Sequence, residues 1–254
     1  MSSRWQKQIP AICWICNIIR RNFIVPPLLE KMMNKKDLIK AFSEIPTGAV
    51  SDAIDYLKIS SGVIIDAPKP MNLNPDDAKM VGLACTIQQM PKRQINPGKV
   101  KQLDVYNSIA QPGEVVVIDA GGRMDCATTG GLQVTRAAYR GLAGVILNGC
   151  CRDADDIKKG HFPFFSLGSC PRKSVPLETT GINVPITIKN VQICPGDLIV
   201  ADSTGIVVVP IEVAEDVLER ARFVVRVEEE MEKRLKAGED YSGLRDRVTA
   251  ELTV

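Results

Sequence analysis

The chain has 254 residues, with 32 Lys and Arg against 30 Asp and Glu and a formal charge of +2. That length can bury a sizeable core without disulfide staples, and a charge balance this even, with no basic stripe, argues against nucleic acid as a partner. Eight cysteines lack the clustering of a zinc ribbon or a secreted disulfide scaffold, so a reduced, cytoplasmic compartment is expected.

Ile9 to Ile19 is apolar and flanked by Lys7, Arg20 and Arg21. It is shorter than the roughly 20 residues that span a bilayer, and it lacks the small-residue cleavage site of a signal peptide. No membrane association is expected. Cys13 and Cys16 form a CxxC with no second ligand pair at zinc-finger spacing and no preceding strand, so it reads as incidental. Met32 and Met33 stand just before an ordered helix start, so residues 1–31 are expected to be an N-terminal extension and 32–254 a single domain.

Asn34 is placed to cap a helix over Lys35 to Phe42, and Thr47 or Ser51 to cap a second through Asp55 and Leu57. Met80 to Gln88 and Glu114 to Asp119 read as buried strands, Gly131 to Arg140 as a helix and Gly144 to Asn148 as another buried strand. Glu114 to Asn148 thus forms a strand, loop, helix, strand unit whose two strands should be parallel neighbours. Asn183 to Pro210 breaks into short β runs at Lys189 and Asn190, at Pro195 and Gly196 and at Ser203 to Gly205, which predicts a β meander. From Ile211 to Lys236, apolar Val213, Val217, Leu218, Ala221, Val224 and Val225 recur among charges as the stripe of a long amphipathic helix, expected to pack on a sheet. The class is α/β, with a helical preface and a long C-terminal helix.

In such sheets ligands collect beyond the carboxyl ends of parallel strands. Two loops lie there: Ala120 to Gly130, running into Gly131, and Gly149 to Asp156. Glycines let backbone N–H groups approach an anion. The planar fork of Arg152 matches a carboxylate, and Asp153 is a hard ligand for Mg²⁺ or Mn²⁺. The same features also fit a surface ion pair and a tight turn. His161 is the only histidine, which excludes two-His metal motifs. Asp155 and Asp156 read as first-turn helix residues, and Cys150 and Cys151 as small packing residues.

The run Gly144-Val-Ile-Leu-Asn-Gly-Cys-Cys-Arg152-Asp153-Ala-Asp155 resembles the signature of the RraA-like family, which includes 4-hydroxy-4-methyl-2-oxoglutarate aldolases. Ser51-Asp52-Ala53, Gly82-Leu-Ala-Cys-Thr86, Pro112-Gly113-Glu114 and Pro195-Gly196-Asp197 through Asp202, Gly205 and Pro210 follow in the family's order, so the resemblance covers Asn34 to Gly238. It implies a layered β/β/α-type sandwich, a homotrimer or homohexamer with sites between subunits, and a divalent-metal-dependent lyase that releases pyruvate from a keto acid. Oxaloacetate decarboxylation is implied with it, through the same enolate.

Carried over by residue, Arg152 would bind the pyruvyl carboxylate and Asp153 the metal. Gly130, Gly131, Leu132 and Gln133 would seat the substrate, and Glu229 would reach a neighbour's site unless it is simply part of a solvated helix face. The family's aldolases carry an acid where this chain has Gly131, so either Asp125 takes over that role or the reaction has weakened or changed. A regulatory binding protein is the alternative. Arg172 and Lys173 either meet a distal carboxylate or form a solvated pair, Thr47 and Asp52 read as helix caps, and Asp202 with Gly205 as a β turn. No fingerprint for S-adenosylmethionine is present.

Overall fold

The computed structural model describes residues 33–59, 62–93 and 101–253. The expected N-terminal extension and the CxxC lie outside them. Asn34 caps the first helix as predicted: its side chain accepts the Asp37 N–H at 2.9 Å at the start of α1 (Lys35–Ser43). The second helix, α2 (Thr47–Tyr56), is capped differently from expectation. Pro46 occupies its N-cap position, and Asp202, distant in sequence, takes the Thr47 N–H at 3.0 Å and the Thr47 hydroxyl at 2.8 Å. Asp202 also closes its own turn, accepting the Thr204 N–H at 2.9 Å while its N–H donates to the Gly205 carbonyl. The helical preface is therefore tied to the sheet by this carboxylate and, at the loop between the helices, by the Lys79 ammonium, which donates to the Ile45 carbonyl at 2.6 Å.

One curled mixed sheet carries the strands β1 (Lys69–Pro70), β2 (Met80–Pro91), β3 (Val115–Thr129), β4 (Gly144–Cys151), β5 (Phe164–Ser169), β6 (Leu177–Ile182), β9 (Leu198–Ala201) and β10 (Ile206–Val209). Its path runs β1-β5-β4-β3-β2-β9-β10, with β6 also paired to β2. The central four strands are parallel, and the flanking pairs antiparallel. As expected, β3 and β4 are parallel neighbours joined through the helix α4 (Gly131–Tyr139). Ahead of β3 stand a single helical turn, α3 (Gln102–Asp104), and a π turn (Val105–Ile109).

The two stacked sheets of a β/β/α sandwich are replaced by this continuous sheet. The reason lies in β2, whose start pairs with β9, whose middle pairs with β3 and whose end pairs with β6. One long strand thereby bridges what would otherwise be separate layers. The predicted meander is likewise split. Strands β7 (Ile186–Ile188) and β8 (Val191–Ile193) form a separate hairpin, and after Pro195 and Gly196 the chain joins β9 to β2 instead of β8.

Alternation along the central strands sends side chains to two cores. On one face Ile87, Val116, Ile118, Val145 and Leu147 pack with Val134 and Ala137 of α4. On the other, Val115, Val117, Ile146 and Phe165 pack with residues of the β7 and β8 hairpin and of β10. The long helix α6 (Ala214–Lys236) buries Val217, Leu218, Ala221 and Val224 as its stripe predicts, together with Val227 and Met231. It packs principally on α2 and on α7 (Leu244–Thr253) rather than on the sheet.

Asp197, in the turn entering β9, accepts the Cys194 N–H at 2.8 Å. Burial pushes its carboxyl up to about 6, partly offset by the Cys194 and Ile211 backbone donors and reinforced by Glu212. The folded chain therefore holds a proton that the unfolded chain has lost. The resulting stability is complete below an ordinary Asp value of 3.8 and disappears as pH rises through about 6. Asp197→Asn removes this titration, so its melting temperature relative to wild type should climb as pH rises from about 4 to about 7. A pH-independent difference in thermal unfolding would refute the assignment.

Candidate active site

The site is built where β3 and β4 end side by side. Strand β3 runs on through Ala120 to Thr129, which the sequence presents as a loop; it stays paired with β4 across three register shifts. Gly121 and Gly122, both at φ +68°, supply the left-handed backbone that the first irregularity needs. The pairing brings Thr129 opposite Cys151. The two chain ends are then fastened to each other: the Arg152 N–H donates to the Thr129 carbonyl at 2.9 Å, and the Gly131 N–H donates to Asp153 Oδ2 at 3.0 Å. Asp153 itself adopts φ +58° as the chain turns from β4 into α5 (Ala154–Lys159).

Arg152 and Asp153 are adjacent and partly exposed, with Nε 3.7 Å from Oδ2. Gly130 fits beneath them because it has no side chain. A Cβ there would lie 2.9 Å from both Arg152 Nε and Asp153 Oδ2. Its N–H donates to Gln133 Oε1 at 3.0 Å and its carbonyl accepts the Gln133 N–H at 3.0 Å, which fixes the start of α4. Of the three N–H groups expected to seat substrate, those of Gly131 and Gln133 are therefore engaged within the protein. That of Leu132 has no hydrogen-bond partner among the described residues.

Arg152, Asp153, Gly130, Leu132 and Gln133 line one cavity of about 560 Å³, a size ordinary for a small-molecule site. Lys101 and Lys173 line it too, so among the described residues three cationic side chains and one carboxylate line the cavity. Gly131 belongs to an adjoining cavity of about 680 Å³ between α4 and α5, which shares Leu132 and Asp153 with the first. Lys173 thus reaches the site, whereas Arg172 points to Asp125 at 3.7 Å.

The other predicted residues lie elsewhere. Asp125 is held by Arg123 through paired bonds of 2.7 and 2.6 Å, and this partner keeps its carboxyl below the usual range. It is not among the residues lining either cavity. Glu229 is exposed on α6, likewise away from both linings. Cys150 and Cys151 are fully buried, and burial raises both thiols, which suits packing rather than nucleophilic attack. His161 lies 3.1 Å from Asp77 and lines only the adjoining cavity.

Gln89, Gln102, Thr128 and Thr129 also line the main cavity and are buried. Sequence reasoning passed over them. The available signal was a pair of amides, Gln88 and Gln89, at the end of an apolar strand.

Comparison with known proteins now fixes the kinship. The family described as RraA-like, Aldolase/RraA, matches residues 47–208. The chain belongs to the RraA-like family. A protein of Halalkalibacterium halodurans provisionally named 4-hydroxy-4-methyl-2-oxoglutarate aldolase is 37% identical over 186 residues, covering 73% of this chain and 82% of its own. Among solved structures, Streptomyces coelicolor RraAS2, described as an unusual member of the RNase ES inhibitor RraA protein family, matches with TM-score 0.72 and 26% identity. That match covers 80% of this chain and all of the other. An uncharacterised protein from Pseudomonas syringae pv. tomato matches with TM-score 0.72 at 27% identity, covering 83% of this chain and 97% of its own. Among the described residues no helix of this RraA-like chain is long and apolar enough to cross a membrane.

The donors at the cavity bear on whether a divalent cation fits. Among the described residues no three His, Cys, Asp or Glu side chains converge as a ready-made cage, and Asp153 is the one carboxylate lining the main cavity. Asp153 Oδ2 meets Gly131, and Oδ1 has no hydrogen bond among the described residues. One free carboxylate oxygen beside open space suits Mg²⁺, which commonly takes one or two carboxylates and keeps several waters.

The close fit at Gly130 is directly testable. Gly130→Ala sets a Cβ against both Arg152 Nε and Asp153 Oδ2, so both side chains must shift, and an anion such as oxalate offered to the guanidinium should bind about 10- to 100-fold more weakly. Calorimetric titration reads the change, and circular dichroism checks that the fold is retained. Unchanged affinity would show that the guanidinium does not hold the carboxylate.

Proposed function

We propose that this protein is a divalent-metal-dependent carbon–carbon lyase of the 4-hydroxy-4-methyl-2-oxoglutarate aldolase type, releasing pyruvate and also decarboxylating oxaloacetate. The observation that carries the reading is the convergence of Arg152 and Asp153 on a cavity floored by Gly130. Family membership and the provisional name of the Halalkalibacterium halodurans relative support it.

In this reading Arg152 binds the carboxylate of the keto acid, and its planar fork fixes the orientation of the adjoining keto group. The Leu132 N–H, at the start of α4, adds a donor for the same anion. Asp153 would hold Mg²⁺ or Mn²⁺, and a bound cation would supply Lewis-acid polarisation of the keto group. Lys101 and Lys173, at the cavity wall, attract a second anionic group on the substrate. Three such chains would assemble as a trimer, or six as a pair of trimers, and Glu229 would then serve a neighbour's site. That assignment accords with its exposure and with its absence from the linings of the two cavities described above.

Purified protein with Mg²⁺ or Mn²⁺ should release pyruvate from oxaloacetate and from 4-hydroxy-4-methyl-2-oxoglutarate, and a chelator should abolish the release. Arg152→Ala should lower kcat/KM by about 100-fold or more, as expected when a charge-assisted substrate contact is lost. Absence of pyruvate above the metal-only background, with both substrates, would reject the lyase.

A second reading, a catalytically weakened binding or regulatory protein, draws support from Gly131. Where the family's aldolases carry an acid, this chain has none, and a Cβ at Gly131 would lie 3.3 Å from Asp153 Cβ and 3.7 Å from Oδ2. The description of Streptomyces coelicolor RraAS2 points the same way. Gly131→Asp would set a second carboxylate beside the first, so Mn²⁺ should bind about tenfold tighter or more by calorimetry, within the span of metal affinities set by ligand charge. If turnover appears only in this variant, the second reading holds for the natural chain.

A further inference from the structure

The wall of the main cavity contains a polar relay for which the lyase reading gives no role. Gln89 stands near the end of β2 and is only 5% exposed. Its Nε2 donates to Gln102 Oε1 at 2.7 Å, and Gln102 Nε2 in turn donates to Thr129 Oγ1 at 3.1 Å. Gln102 and Thr129 are buried as well. The relay occupies the nitrogen of the Gln89 amide and fixes the orientation of the group.

Its oxygen is left over. Gln89 Oε1 is buried and has no hydrogen-bond partner among the described residues, although Gln89 lines the same cavity as Arg152 and Asp153. Thr128 Oγ1 is a second buried, unpartnered polar atom of that wall. Buried polar groups in native proteins are almost always satisfied, so each exception calls for a cause. The chemistry that satisfies a carbonyl oxygen is a donor, and an organic acid already held by its carboxylate can supply one as a hydroxyl.

We propose that Gln89 is the specificity-determining residue of this site, its Oε1 accepting a hydrogen bond from a hydroxyl of the bound acid. The inference deepens the lyase reading and rests on it: Arg152 takes the carboxylate and Gln89 recognises the hydroxyl. Selection follows from an asymmetry. The acceptor is unmet in the free protein, so an acid that supplies the hydroxyl gains a hydrogen bond there and one without it gains nothing. Gln102 is a positioning residue, acting only by holding the amide.

Malate and succinate differ by this one hydroxyl and provide the test. In calorimetric titrations of the full chain with Mg²⁺ present, wild type should bind malate about tenfold tighter than succinate or more, the scale of one buried hydrogen bond. Gln89→Leu should bring the two affinities to within about twofold by removing the acceptor. Gln89→Met keeps the unbranched stem and should do the same if Gln89→Leu does not fold. Gln102→Glu still offers an oxygen to Gln89 Nε2 and should preserve the preference, which separates loss of recognition from general damage to the wall. Equal binding of both acids by wild type, binding of neither, or a preference that survives in a folded Gln89 variant would each overturn the proposal. Failure of the lyase reading is distinguishable, because it would show as absence of pyruvate release with the malate preference intact.

Discussion

Two hydrogen bonds between the ends of adjacent parallel strands hold the site together. The Arg152 N–H to the Thr129 carbonyl and the Gly131 N–H to the Asp153 carboxylate join the end of β4 to the start of α4. A parallel ladder alone would leave these ends free to diverge, since each strand goes on to its own helix. With the fastening in place, a guanidinium and a carboxylate are presented together at the edge of the sheet. The missing side chain at Gly130 is what allows so close an approach.

The rest of the fold keeps those strand ends in register. Strand β2 serves three partners along its length and so binds the parallel centre to the antiparallel flank. Its last residues deliver Gln89 to the cavity wall, where the same strand that closes the curl contributes a polar group to the site. Asp202 performs a comparable service on the other side, capping α2 from the β9 to β10 turn. Helix α2, which also packs on β10, in turn provides the main surface on which α6 packs, so the sheet positions the long helix through α2.

The site is polar at two depths. Arg152, Asp153, Lys101 and Lys173 lie toward the opening, while Gln89, Gln102, Thr128 and Thr129 form a buried layer that carries no charge. Charges near solvent attract and orient an anion at little cost in desolvation. Neutral amides and hydroxyls can be buried cheaply when paired, and the few left unpaired discriminate sharply among ligands. Asp125 differs, an exposed carboxylate paired with Arg123 and lining neither cavity.

Local chemistry was enough to determine the helix at Asn34, the apolar strands, the parallel unit of Glu114 to Asn148 and the stripe of α6, because periodicity and capping act over a few residues. The motif around Arg152 and Asp153 was legible for the same reason: all its parts lie within one strand and its following turn. Tertiary structure alone decided that Ala120 to Thr129 remains paired, since the irregular pairing depends on β4 alongside. It also decided that Asp202 caps a helix far away in sequence, and that one long strand turns two prospective layers into a single curled sheet. Gln89 could not be recognised beforehand, because an unmet acceptor is a property of its surroundings, and those surroundings are assembled from segments far apart in the chain.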